Sequence, residues 1–304
     1  MGRTRERGWP PAPDPLGEGV LLVDNHTHLG SAIDVLPAGE QVPTAEQEIA
    51  WARAAGVTRL VQVACDLDAI EPGLELARTQ PEVLLAVAIH PNEAVLHAGV
   101  REIAPDGLDP DPQPRHATSL DDAIDAVVRA ARQERTRAVG ETGLDFFRGG
   151  ERAREVQRAS FRAHVALAKE LGLPLQIHDR EAHAEVIEIL LADGAPEVTV
   201  FHCFSGDAAM ARMCAEQGWY LSIAGPVTFR ANDAGREAVR AVPLSRLLLE
   251  TDAPYLTPHP FRGRPNGPYL LPHTAREVAR VRGEDVAEVA RVTTATAVEL
   301  YGPW

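Results

Sequence analysis

The 304-residue chain reads as a single α/β domain, a (β/α)8 TIM barrel. Eight short apolar runs recur along it, most are followed by a segment of helical periodicity, and nearly every run ends in an ionisable residue. Runs rich in Val, Ile and Leu, without polar alternation until their ends, are what strands buried on both faces of a parallel sheet look like. Eight β–α units in succession favour a closed barrel over an open doubly wound sheet. No Gly-x-Gly-x-x-Gly turn follows the first run, which counts against a dinucleotide-binding sheet.

The first run is Gly19 to Leu29 (GVLLVDNHTHL), followed by helical Thr44 to Ala55. The second, Val57 to Asp66, precedes a helical Ala69 to Thr79. Val83 to Pro91 (VLLAVAIHP) and Arg137 to Asp145 (RAVGETGLD) are the third and fourth. Then come Pro174 to Asp179 (PLQIHD), Val198 to Gly206 (VTVFHCFSG), Tyr220 to Val227 and Leu247 to Tyr255 (LLLETDAPY). Between them, Glu151 to Leu171 and Glu181 to Leu191 carry apolar residues at three- and four-residue spacing, as amphipathic helices do. A Pro/Asp/Gly-rich insertion, Gly99 to Thr118, reads as a long surface loop before a helix at Leu120 to Arg132. Residues 1–18 are expected to be a disordered lead-in, and residues 19–304 the barrel.

A hydrophobic fraction of 45% is ample for a large core. No stretch approaches the roughly 20 apolar residues needed to span a bilayer, and the basic start lacks the apolar run of a signal peptide. Three cysteines (Cys65, Cys203, Cys214), odd in number and without paired spacing, point to a reducing compartment and a cytoplasmic protein. A net charge of −14 disfavours a broad groove for long duplex DNA. It leaves room for a metal-centred site taking one phosphate at a time, because bound cations invert the local field.

The chemistry lies at the ends of the runs. Asp24, His26 and His28 close the first, His90 the third, Glu141 and Asp145 the fourth, His178 and Asp179 the fifth, His202 the sixth, Glu250 and Asp252 the eighth. In a TIM barrel these ends converge on one face. His26 and His28 are alternate strand residues, so their imidazoles project together and reach one metal at about 2.0–2.1 Å. Glu141 follows barrel-lining residues, where a carboxylate is costly to bury unless paired or metal-bound. Its two oxygens make it the natural bridge between two cations. His178 and His202, each unremarkable alone, complete a second site with Glu141. Asp252 closes the ring, with Glu250 a rival ligand or an orienting residue. Cys203 points away from the site by strand alternation.

These elements resemble the TatD family of metal-dependent deoxyribonucleases, a branch of the amidohydrolase-like superfamily. The likeness runs through VDNHTHL, AIHP, GETGLDF, IHDR, FHCFSG, ETDAPYL and RGRPNGP, from about Val23 to Pro268. It implies two divalent metals, one held by His26, His28, Glu141 and Asp252, the other by Glu141, His178 and His202. It also implies Mg²⁺- or Mn²⁺-dependent DNA hydrolysis, often exonucleolytic, with nucleic acid as substrate. The donors suit zinc too, because imidazole and carboxylate ligands fit Zn²⁺, Mn²⁺ or Fe better than an all-oxygen Mg²⁺ site does. Arg262, in the family's Arg-Gly-x-x-Asn string with Asn266, is expected at the substrate, as is His90; Arg264 is a further candidate. The chain departs from the family at Thr142, at Phe146-Phe147 and in its longer loop over Gly99 to Thr118.

The resulting expectation is phosphodiester hydrolysis by a metal-activated water, Asp252 taking its proton and Glu141 bridging the cations. Single strands or ends suit the acidic surface better than long duplex. Two alternatives stay open. One is a same-fold hydrolase of another ester or amide, such as an aminoacyl-tRNA deacylase, phosphotriesterase or lactonase. Some of those would use a bridging lysine on the fourth strand, where this chain has Glu141. The other is a non-catalytic barrel used for interaction.

Overall fold

The computed structural model describes residues 8–32, 35–36 and 41–304. Eight parallel strands hydrogen-bond in sequence order: β1 (Leu22–Thr27), β2 (Val57–Ala64), β3 (Val83–Val87), β4 (Thr136–Asp145), β5 (Leu175–Arg180), β6 (Thr199–Phe201), β7 (Tyr220–Ile223) and β8 (Leu247–Leu249). The ring is closed from β8 back to β1 by residues just beyond β8. The Asp252 N–H donates to the His26 carbonyl at 3.0 Å, and the His28 N–H to the Ala253 carbonyl at 2.8 Å. The Asp24 carboxylate reinforces that seam, accepting from the Thr251 N–H at 2.9 Å and the Thr251 hydroxyl at 2.6 Å.

Helices α1 (Ala45–Ala54), α2 (Leu67–Thr79), α3 (Pro91–His97), α4 (Leu120–Ala131), α5 (Glu151–Leu171), α6 (His183–Asp193), α7 (Ala208–Glu216), α8 (Asp233–Ala241), α9 (Leu271–Arg282) and α10 (Val286–Tyr301) surround the strands. Their starts are written locally. Thr44 and Gln47 form a reciprocal capping box on α1, and Asp66, Ser119, Asp207 and Asp285 accept backbone N–H bonds at four others. One buried cluster lies between strands and helices; Leu22, Leu60, Leu85, Phe161, Phe201 and Leu221 belong to it. A second gathers Val23, Val61, Leu84, Ala86, Ala138, Val200 and Leu248 with Ala297 and Tyr301 of α10. Successive strand residues face opposite ways, so Leu22 and Val23 fall into different clusters. No helix among the described residues is long and apolar enough to cross a membrane.

Two segments outside the regular elements make specific contacts. Within the lead-in, Gly8, Trp9, Pro10 and Asp14 accept hydrogen bonds from side chains of the barrel. Arg264 donates to the carbonyls of Gly8, at 2.7 Å, and of Trp9, while the Tyr269 hydroxyl donates to the Pro10 carbonyl at 2.7 Å. The Trp9 ring meets Trp51 edge-on at 5.5 Å. Residues 1–7 lie outside the described residues. The insertion at Gly99–Thr118 also makes specific bonds. Arg115 forks onto Glu93 at 2.7 and 2.9 Å, and the Glu102 carboxylate accepts from the N–H groups of Arg152 and Ala153 in the first turn of α5. A carboxylate there complements the positive end of the helix dipole.

His164 ties α5 to the end of β3. Its Nδ1–H donates to the Ser160 carbonyl at 2.8 Å, and its Nε2 accepts from the Ile89 N–H at 3.1 Å. Both ring nitrogens are used by the neutral form, and burial pushes the pKa down to about 4. The unfolded chain takes up a proton near pH 6.5, so the contribution of His164 to stability is present above that pH. It is lost as pH falls from 6.5 towards 4. Denaturant unfolding in EDTA at pH 7 and pH 5 is expected to show a smaller loss for His164→Gln than for wild type, by about 2 kcal/mol. Equal losses in both proteins would contradict this.

Candidate metal centre

Glu141 sits where β4 is pressed against β5, and its neighbouring glycines allow the approach. A Cβ on Gly143 would lie 2.0 Å from the His178 carbonyl oxygen, and one on Gly140 would lie 2.5 Å from the Gln176 Cβ. Gly143 also has a φ of +143°, which side chains rarely tolerate. The buried Glu141 carboxylate is thereby held at the mouth of the barrel.

Its two oxygens face different partners. Oε2 lies 3.6 Å from His26 Nε2 and 3.7 Å from His28 Nε2. Asp252 Oδ1 stands 3.8 and 3.6 Å from the same two nitrogens. Oε1 lies 2.9 Å from His202 Nε2, 2.7 Å from His178 Nδ1 and 3.6 Å from His90 Nε2. The His26 and His202 rings stack at 4.0 Å. Every expected donor is therefore in one cluster, and His90 joins it.

The first half of the cluster has the dimensions of a metal site. A tetrahedral ion with bonds of about 2.1 Å sets its ligand atoms about 3.4 Å apart. The separations among His26, His28, Glu141 and Asp252 are slightly longer than that, too long for direct hydrogen bonds. His26 Nε2 is buried with no hydrogen-bond partner. A buried nitrogen without a partner, ringed by two carboxylates, fits a divalent cation.

The remaining ring nitrogens are held from behind, as metal-ligating histidines require. His26 Nδ1 meets Gln176 Oε1 at 3.0 Å, and His28 Nδ1 the Val63 carbonyl at 3.3 Å. His202 Nδ1 meets Glu250 Oε1 at 3.3 Å, which also accepts from the Cys203 N–H at 2.7 Å. Glu250 thus orients His202. His178 Nε2 faces Asp145 Oδ2 at 3.3 Å, and Asn92 and Arg148 bond to the same carboxylate. Each such acceptor fixes the tautomer that aims a lone pair into the cluster. Beneath them, the Gln176 amide donates to the Tyr301 hydroxyl at 2.9 Å, and Tyr301 donates to Asn25 at 2.5 Å. Asn25 Nδ2 bonds to Ser222 at 2.9 Å.

Gln176 carries a signal in the sequence, being the polar residue that alternates with His178 in PLQIHD. Tyr301 carries none, because α10 is distant in the chain. Asn266 stands in the Arg-Gly-x-x-Asn string that follows β8. It is fully buried, donating to the carbonyls of Thr251 at 2.9 Å and Tyr255 at 2.6 Å, and so shapes the loop beyond β8. Arg264 is engaged by the N-terminal segment, whereas Arg262 is exposed with its guanidinium 4.3 Å from the Phe229 ring centre. Lys169 lies on α5 and donates to the Asp193 carbonyl at 2.6 Å, so no lysine serves as a bridge.

A model for the family described as TatD related DNase matches residues 23–302. The chain belongs to the TatD family. Its relatives include an uncharacterized metal-dependent hydrolase, TatD, of Mycobacterium tuberculosis, 41% identical over 286 residues, 92% of this chain and 98% of that protein. The 3'-5' ssDNA/RNA exonuclease TatD of Salmonella typhimurium is 31% identical over 260 residues, 83% of this chain and 91% of that protein. The crystal structure of YjjV, a TatD homolog from Escherichia coli, has the same fold, with a TM-score of 0.76 at 24% identity over 92% of this chain and 97% of that one. This TatD-family chain is a metal-dependent hydrolase.

Protonation follows from the crowding of carboxylates and imidazoles. Burial opposes charge on both partners, but the charge of His202 and the bonds from His178 and His202 outweigh it for Glu141 and hold its pKa well below the usual range. Burial likewise opposes charge on His178 and His202. Bonds to Asp145 and Glu141 lift His178 to about 9, and the Glu141 charge lifts His202 well above its ordinary value. At pH 7 these rings hold protons that a divalent cation must displace. Mn²⁺ affinity is expected to rise with pH between 6 and 8. Calorimetry in buffers of different ionisation enthalpy should read a release of about one to two protons per protein. An affinity independent of pH would overturn the assignment. Gln176→Leu, which removes the acceptor behind His26, is expected to weaken Mn²⁺ binding about 10- to 100-fold.

Proposed function

We propose that this chain is a nuclease that removes nucleotides from the 3' ends of single-stranded DNA with two divalent metal ions, Mg²⁺ or Mn²⁺ in the cell. The observation that carries the reading is the split of the Glu141 carboxylate, one oxygen towards His26 and His28, the other towards His178 and His202. Two donor sets sharing one carboxylate suit a pair of cations a few ångströms apart, the arrangement used for in-line phosphoryl displacement. His26, His28, Glu141 and Asp252 would hold one ion, and Glu141, His178 and His202 the other. The donor types admit zinc as well. The relatives named as 3'-5' ssDNA/RNA exonucleases, 31–33% identical, support the substrate.

When bound, the cations lower the pKa of a water towards neutrality and offset the charge that grows on the phosphoryl oxygens. Asp252 then accepts the proton of the attacking water. It is suited to this because its pKa is held low by His28, His202 and His26 despite burial, leaving it ionised at neutral pH. Glu141 stays ionised for the same kind of reason and keeps the two halves in register. Arg262, fixed against Phe229, presents an exposed guanidinium to a phosphate at the mouth. His90, pushed by burial down to about 4, is neutral and faces Glu141 beside the substrate. The acidic surface favours single strands and ends. Three unpaired cysteines fit a cytoplasmic enzyme.

With 3'-labelled single-stranded DNA and Mn²⁺, wild type is expected to release mononucleotides, and EDTA to stop it. Asp252→Asn should lower kcat by about 100- to 10,000-fold. Wild type with full metal occupancy and no cleavage would sink the nuclease reading.

A further inference from the structure

Arg180 is the last residue of β5, two positions beyond His178, at the same end of the barrel as the metal centre. It is exposed, and its guanidinium carbon lies 3.8 Å from the centre of the Phe147 ring, which follows β4. Its backbone is pinned as well, because the Phe146 N–H donates to the Arg180 carbonyl at 2.9 Å. No carboxylate among the described residues forms an ion pair with it. On the β7–β8 side, Arg262 on Phe229 repeats the device.

A guanidinium lying flat on a ring keeps its N–H fork free at the edge and loses little freedom when it binds. The free fork matches a phosphate, whose oxygens accept two parallel N–H bonds from a planar guanidinium. Resting on the nuclease reading above, we propose that Arg180, held by Phe147, binds the backbone phosphate adjacent to the one under attack. The strand would then cross the metal centre between two stacked arginines, Arg180 on the β4–β5 side and Arg262 on the β7–β8 side. The preferred substrate would be an oligonucleotide with a neighbouring phosphate, over a lone phosphodiester.

The test compares Arg180→Ala with wild type on a single-stranded decanucleotide and on bis(4-nitrophenyl) phosphate, which has no second phosphate. The loss of kcat/KM on the oligonucleotide is expected to exceed the loss on the small diester by about tenfold, most of it in KM. The slope of log KM against log salt should shrink by about 0.7, the share of one single-strand phosphate. Arg180→Lys should restore the slope, and Phe147→Leu should give a smaller KM effect. Equal losses on both substrates, or an unchanged slope, would overturn the proposal. Fluorescence anisotropy of a 5'-labelled oligonucleotide in EDTA reads the contact without turnover; there Arg180→Ala should weaken binding about tenfold, and equal affinities would refute it. Wild type that binds the oligonucleotide through Arg180 but cleaves nothing would count against the nuclease reading alone.

Discussion

Burying the Glu141 carboxylate at the centre of the barrel mouth costs roughly several kcal/mol unless positive charge surrounds it. Its position rests on Gly140 and Gly143, which let β4 press onto β5. Its oxygens then divide the nearby imidazoles into two sets, and Asp252 returns from beyond β8 to complete the first. Without a cation, protons on His178 and His202 supply the charge that the carboxylate needs. The same electrostatic demand explains the affinity for a divalent ion and its expected dependence on pH.

A metal centre also has to be rigid, and here rigidity comes from a buried polar layer under the donors. Gln176, Glu250, Asp145 and the Val63 carbonyl each take the rear nitrogen of one histidine. Gln176 is steadied by Tyr301, so the last helix of the chain supports the first strand's histidine. A buried network of this kind is favourable only when its members are nearly all satisfied, and this one is.

The loops above the centre follow a second rule. Where an arginine serves the scaffold, its fork is filled, as with Arg115 on Glu93 and Arg264 on the N-terminal segment. Arg180 and Arg262 rest on aromatic rings and make no ion pair with a carboxylate of the described residues. Two arginines so close in the chain as Arg262 and Arg264 therefore have unlike fates, and only the contacts distinguish them. The same holds for Asn266, which shares a motif with Arg262 yet is buried as a brace for the loop.

The order of strands and helices was legible because each element writes its own periodicity, caps and apolar run. So was the gathering of His26, His28, Glu141, His178, His202 and Asp252 into one cluster, since a barrel brings its strand ends together and all six stand at such ends. Strand boundaries were less legible: β6 and β8 are only three residues long, and His202 and Asp252 lie just past them. What the tertiary structure decided was partnership. Gln176 behind His26 and Tyr301 behind Gln176 join residues 150 and 125 positions apart, and Gly8 and Pro10 are held by the distant Arg264 and Tyr269. Local sequence encodes which residues can ligate and which elements they ride on. Which nitrogen faces the centre, and which arginine stays free, depends on contacts that exist only once the barrel has closed.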